Sequence, residues 1–115
     1  MGYSVKKVTD VIVKDNDGKN QIVLRANLLK NASLTLRAIN HPLRKGIVDY
    51  LEENGEKTVT EIYVKLRTEQ SVASQHLAIL RKAELLNTRR DGKFIHYTIN
   101  RDRFKQVAGI IEDLA

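Results

Sequence analysis

The sequence predicts a mainly α-helical domain with one small β-hairpin set directly behind a pair of helices. Three observations predict it. Residues 58–66 and 70–86 each carry apolar side chains at three-and-four spacing. Only Arg67, Thr68 and Glu69 separate the two stretches. Behind them come two short runs rich in Thr, Phe, Ile and Tyr, residues 86–90 and 93–99, with Asp91-Gly92 between. Asp-Gly between such runs signals a hairpin, because a tight primed turn needs positive φ at both central residues. Helix, short turn, helix and then a basic hairpin is the winged helix-turn-helix arrangement.

Residues 1–20 read as an extended N-terminal segment, hairpin or arm. Val8, Val11 and Val13, with Thr9 and Ile12, predict a strand over residues 8–14, and Asp15-Asn16-Asp17-Gly18 is a turn signal. A calcium loop is excluded, since Ala26 stands at the twelfth position, where a glutamate is needed. Residues 21–24 fit a returning strand. They also fit the start of a helical stripe through Ile22, Ala26, Leu29, Leu36 and Ile39. Asn31 and Ser33 offer caps that would split that helix in two. The stripe holds more apolar surface than one face of a small domain needs, and the excess reads as a dimer interface.

Asn40-His41-Pro42 stops this segment and starts the next helix, with Pro42 at its first position and Asn40 or His41 as cap. Leu43, Ile47, Tyr50 and Leu51 form its buried stripe, Asn54-Gly55 its end, and Arg44 and Lys45 its outward cations. Thr58 or Thr60 caps the helix over residues 58–66, whose stripe is Val59, Ile62, Tyr63 and Leu66. In the helix over residues 70–86, Ala73, Leu77 and Leu80 point inward. Its opening turns present short polar groups, and such a surface can enter a DNA major groove. Gln70, Ser71, Val72, Ser74, Gln75 and Ala78 are its outward candidates. Gln75 has the two-point geometry for an adenine edge, Ser74 suits a base or a phosphate, and Val72 a thymine methyl. The hairpin carries Arg89, Arg90 and Lys93. A last helix, residues 101–115, has Phe104, Val107, Ile111 and Leu114 on one stripe and Asn100 or Asp102 as cap.

The runs INHPLRKGIVDYL, SVASQHLAILRKAELL and TRRDGKFIHYTI resemble the ArsR/SmtB family of winged-helix repressors, a likeness covering residues 34–114. The resemblance implies a homodimer that represses promoters and releases DNA on a signal. It implies phosphate contacts near Arg44, a recognition-helix role for His76, and backbone contacts from Arg81, Arg89, Arg90 and Lys93. It implies pairing of the first and last helices across a two-fold axis through Ile22, Leu29, Leu36, Phe104, Val107, Ile111 and Leu114. Some members hold zinc through an Asp-x-His pair on the last helix. Asp102 matches the Asp, but Phe104 replaces the His. Members usually end the recognition helix with Gly in a left-handed turn, where this chain has Glu84.

Composition bounds the rest. The 115 residues make one domain, divided as an arm over residues 1–20 and a DNA-binding and dimerisation domain over residues 21–115. A net charge of +6 suits a polyanionic partner, and also acidic proteins or membranes. The absence of Cys excludes disulfides, thiolate metal sites and thiol redox sensing. His41, His76 and His96 lie far apart in the chain without ligand spacing. No carboxylate pair, nucleophile–base spacing or phosphate loop is present, so no catalytic residue, metal or cofactor is assigned. No long apolar run opens the chain, and a soluble cytoplasmic protein is the expectation. The leading function is a sequence-specific DNA-binding regulator with double-stranded DNA as partner and an unidentified effector. The alternative is a winged-helix module for protein contact or nonspecific DNA binding.

Overall fold

The computed structural model describes residues 11–14, 16, 18, 21–24 and 26–114; for 11, 21–24, 26–29, 31, 113 and 114 it describes the backbone alone. The elements in order are β1 (Val11–Lys14), β2 (Gln21–Leu24), α1 (Ala26–Ile39), α2 (Pro42–Asn54), β3 (Lys57–Thr58), α3 (Val59–Lys65), α4 (Gln70–Lys82), β4 (Leu86–Asp91), β5 (Phe94–Ile99) and α5 (Arg101–Leu114).

β1 and β2 pair antiparallel, with Val11 opposite Leu24 and Lys14 opposite Gln21. The returning strand therefore forms, and the helix begins at Ala26 rather than at Gln21. The β-branched pair Ile22-Val23 suits a strand, and residues 21–24 leave the helical stripe because a partner strand is available across the turn. The part of the expected strand before Val11 lies outside the described residues. α1 runs unbroken past Asn31 and Ser33, so neither starts a new helix.

The core is one cluster. Ile47 and Leu51 of α2, Ile62 of α3, and Leu77 and Leu80 of α4 are almost wholly buried, with Ala38, Ala83, Leu85, Leu86 and Tyr97 around them. At roughly 1.5–3 kcal/mol per buried aliphatic side chain, these five large residues dominate the packing energy. Phe104 packs against this cluster and Val107 is 4% exposed. Both were expected at the dimer interface; Val107 spends its apolar surface inside the protomer, where α5 leans on α1, while Phe104 is half-buried and keeps part of its ring exposed. Leu36 and Ile111 are exposed and line one groove with Ala32, Ser33 and Ile39. The side chains of Ile22, Leu29 and Leu114 lie outside the described residues.

Local chemistry fixes the helix ends. His41 Nδ1 accepts from the Leu43 N–H at 3.1 Å and caps α2, with Pro42 in its first turn. Gly55 ends α2 at φ 78, a backbone conformation that L side chains rarely adopt. Thr58 and Glu61 form a reciprocal capping box at the start of α3. α3 and α4 both close with paired return hydrogen bonds. Thr68 N–H reaches Tyr63 C=O and Arg67 N–H reaches Val64 C=O; Leu85 N–H reaches Leu80 C=O and Glu84 N–H reaches Arg81 C=O. This bond pattern puts Arg67 (φ 53) and Glu84 (φ 63) in the left-handed position that favours Gly. α4 thus ends at Lys82, not at Leu86; Leu86 is a buried strand residue. Asn100 bridges the corner, donating from Nδ2 to Glu84 C=O at 2.9 Å and accepting the Arg103 N–H at the start of α5.

A left-handed backbone costs an L residue roughly 1–2 kcal/mol. Arg67→Gly is therefore expected to stabilise the protein by about 1 kcal/mol in urea unfolding, since Arg67 is exposed. Glu84→Gly gains less, because it also removes the carboxylate 3.8 Å from the buried Arg103 guanidinium. Equal gains from both would show that this contact contributes nothing.

Among the described residues no helix is long and apolar enough to cross a membrane. β3, β5 and β4 form an antiparallel sheet in that order, with Thr58 opposite His96 and Arg89 opposite His96 on the other edge. Three stacked helices and this hairpin make a winged helix-turn-helix fold.

Candidate nucleic-acid interface

The amino half of α4 splits cleanly into two faces. Ala73 and Leu77 are buried, while Gln70, Ser71, Ser74, Gln75 and Ala78 are exposed. The exposed residues recur at three-and-four spacing, so one side of the helix is a polar strip with hydroxyl and amide groups. Val72, expected outward, is half-buried at the edge of that strip. Glu69, the residue before α4, makes no side-chain cap. The first-turn N–H groups thus remain open to water or to an anion. Arg81 and Lys82 are exposed at the other end.

Arg44 does not point outward as expected. It folds back, with Nε donating to the Ala38 C=O, Nη2 to the Arg37 C=O at 3.4 Å, and Nη1 lying 3.1 Å from His76 Nδ1. Two orphan carbonyls at the end of α1 and one ring nitrogen offer fixed acceptors, and they outcompete water. His76 in turn lies against His41, with ring centroids 4.4 Å apart. In the sequence these histidines lie far apart and show no metal-ligand spacing. α2 and α4 pack so that the α2 cap meets the middle of α4, which nothing in their spacing encodes.

Burial pushes the His76 imidazole below its ordinary pKa of 6.5, and His41 and Arg44 push it further. The neutral ring accepts from Arg44; the protonated ring loses that acceptor and meets a second cation. As pH falls, the unfolded chain takes up this proton first. The His76 contribution is therefore complete above pH 6.5 and is lost as pH drops below it towards the lower folded value. His76→Gln is expected to lose less stability than the parent between about pH 7 and about pH 5, read from urea midpoints at each pH. Parallel curves would contradict this.

The wing projects beside α4. Asp91 pairs with Phe94, so the two turn residues are Gly92 and Lys93 rather than Asp91-Gly92, one position later than expected. Gly92 has φ 62 and Lys93 is not among the positive-φ residues. A turn with positive φ only at its first central residue tolerates an L side chain at the second. Arg90 and Lys93 are exposed, the Lys93 ammonium lying 5.7 Å from the Phe94 ring centre. Arg89 is also exposed but engaged: it grips Glu56 through Nη2 at 2.6 Å and Nε at 3.2 Å. The hydrogen bond from Arg89 holds the Glu56 carboxyl below its usual range. His96 Nδ1 stands 3.5 Å from the same carboxylate. An exposed pair of this kind contributes little stability, and it leaves Arg90 and Lys93 as the readier phosphate partners.

Sequence reasoning missed Glu56 and the short strand β3 that brings it here. A two-residue strand has no periodicity to detect; a Glu directly behind the Gly55 helix stop was the only trace. Among the described residues, no three His, Asp or Glu side chains gather closely enough to hold a metal ion. The arrangement is a surface of hydroxyl, amide and cationic groups, suited to gripping a polyanion and reading base edges.

Residues 41–88, which span α2 through the start of the wing, match the family model described as "Bacterial regulatory protein, arsR family". The chain is 33% identical over 85 residues to an uncharacterized HTH-type transcriptional regulator of Methanocaldococcus jannaschii, covering 74% of this chain and 96% of that protein. It is 36% identical over 84 residues to the transcriptional repressor PagR of Bacillus anthracis, covering 73% of this chain and 81% of PagR. The PagR crystal structure superposes with a TM-score of 0.60 over 76% of this chain and 95% of that one. NolR from Sinorhizobium fredii gives a TM-score of 0.62 at 32% identity, over 76% of this chain and 87% of that one. With this fold, this exposed helix face and these relatives, the chain belongs to the arsR family of bacterial regulatory proteins and is a DNA-binding transcriptional regulator.

Proposed function

We propose that the protein is a sequence-specific repressor that binds a near-palindromic operator as a homodimer. The observation that carries this reading is the exposed strip of Ser71, Ser74, Gln75 and Ala78 on α4, beside a wing bearing Arg90 and Lys93. In this reading α4 enters the major groove, and Gln75 and the two serines meet base edges. Arg81, Arg90 and Lys93 contact phosphates, giving salt-dependent affinity. Arg44 acts indirectly: it holds His76, and through it the register of α4 against α2. The exposed Leu36 and Ile111, on the helices that flank the domain, supply apolar surface for a second copy. Two copies place two α4 helices about one duplex turn apart, roughly 34–36 Å.

The test is fluorescence anisotropy with duplex from the protein's own promoter against scrambled duplex of equal length, at physiological salt. The proposal expects the promoter duplex to bind at least about a thousandfold more tightly. Equal affinities would favour the module reading, with nonspecific DNA binding alone. Sedimentation velocity at tens of micromolar tests the homodimer, and a monomer there would remove the paired half-sites.

A further inference from the structure

A second groove, between α1 and the carboxyl half of α4, plays no part in the reading above. Leu34, Ala38, Ile79 and Ala83 give it an apolar floor. Leu34 and Ile79 keep 44% and 42% of their surface exposed. Its volume is about 320 Å³, at the lower end of the range for small-ligand pockets. The charged lining is all of one sign: Arg37, Arg44 and Lys82, with no acidic residue. Among the described residues neither the Arg37 guanidinium nor the Lys82 ammonium forms an ion pair, while the Arg44 donors are turned inward onto Ala38, Arg37 and His76.

Such a groove matches one ligand chemistry. An inorganic anion would satisfy the cations and leave the aliphatic floor wet. A neutral apolar molecule would cover the floor and strip water from the cations without replacing it. A molecule with an apolar body and a single anionic head does both. Its apolar floor is distinct from the apolar surface offered to a second copy, although Arg37 lines both grooves. Leu34 and Leu36 are two positions apart on α1, about 200° around a helix of 3.6 residues per turn, so Leu34 faces away from the Leu36–Ile111 side.

We propose that the α1–α4 groove binds an amphipathic carboxylate, its chain on Leu34 and Ile79 and its head between Arg37 and Lys82, and that occupancy weakens DNA binding. Occupancy neutralises two cations, one of them in the last turn of the helix that faces DNA, and so lowers the local attraction for phosphate. The regulatory half rests on the DNA-binding reading; the binding half stands on the groove alone.

The experiment titrates the full chain with octanoate, octanol and acetate by calorimetry, and maps each with amide shifts. Octanoate is expected to bind at one site per chain, about tenfold or more tighter than the other two, with shifts confined to residues lining α1 and α4. Arg37→Gln with Lys82→Gln is expected to lower octanoate affinity by about tenfold or more and leave octanol unchanged. Saturating octanoate is expected to weaken promoter-duplex binding by about tenfold. Octanol binding as well as octanoate, or an unchanged double variant, overturns the site. A fall in sedimentation coefficient with Ile79→Asp assigns the groove to a second copy and also overturns it. Octanoate bound in the groove with promoter affinity unchanged overturns the regulatory half. If octanoate binds while promoter and scrambled duplexes remain equal, the operator reading fails and the groove stands.

Discussion

Replacing Leu80 with alanine is expected to lower the unfolding free energy by about 2–5 kcal/mol. Leu80 is wholly buried on the inner face of α4, in the cluster that joins α2, α3, α4 and the wing. Truncation removes apolar contact and leaves a cavity that four converging elements cannot close. A domain of this size is stabilised by roughly 5–15 kcal/mol in total, so the variant loses a large fraction of it. Ser74→Ala, about one and two-thirds turns earlier on the exposed face, is expected to change stability by no more than about 0.5 kcal/mol. Urea unfolding of both variants checks the assignment of faces. A small loss from Leu80→Ala, or a large one from Ser74→Ala, would mean that α4 is rotated about its axis.

That two-faced character of α4 was legible because it depends on local spacing alone. Ala73, Leu77 and Leu80 recur at helical intervals, and any helix that buries them must expose Ser71, Ser74 and Gln75. The α3 start was legible for a similar reason: Thr58 and Glu61 stand three apart, the separation a reciprocal cap needs. The family pattern, with Gly ending this helix in a left-handed turn, pointed to position 84, and Glu84 takes that conformation rather than shifting the cap. What remained hidden depends on contacts between distant segments. Arg44 was read as an outward cation because its helical position is peripheral, yet the carbonyls ending α1 capture it. Arg89 was read as a DNA-contacting cation of the wing, and its pairing with Glu56 stayed hidden because Glu56 reaches it only through β3. Val107 was read as interface although it is buried within the protomer, because a stripe shows that a face is covered, not by what. The wing turn slipped by one residue because Gly at either central position satisfies a tight turn. Cross-strand pairing, here Asp91 with Phe94, decides between them.

Gln75→Ala is expected to reduce the preference for the promoter duplex over scrambled duplex by about 1–3 kcal/mol, the discrimination of a two-point amide contact to a base edge. Gln75 is exposed in the middle of the polar strip, and its loss leaves the packing of α4 unchanged. Arg90→Ala should behave differently. Arg90 sits on the wing, so its loss should weaken both duplexes alike and reduce the salt slope by about 0.9 per phosphate contact per chain. Anisotropy titrations across a range of salt separate the two cases. If both variants lose affinity evenly on both duplexes, the roles given to helix and wing are wrong.

The account depends most on α4 and the wing meeting the duplex together, and amide chemical shifts of the labelled protein titrated with promoter duplex test this most directly. The largest changes are predicted at residues 70–78 and 89–94, with the buried positions of α2 and α4 little affected. A silent α4 face, or changes concentrated elsewhere on the protein, would contradict it.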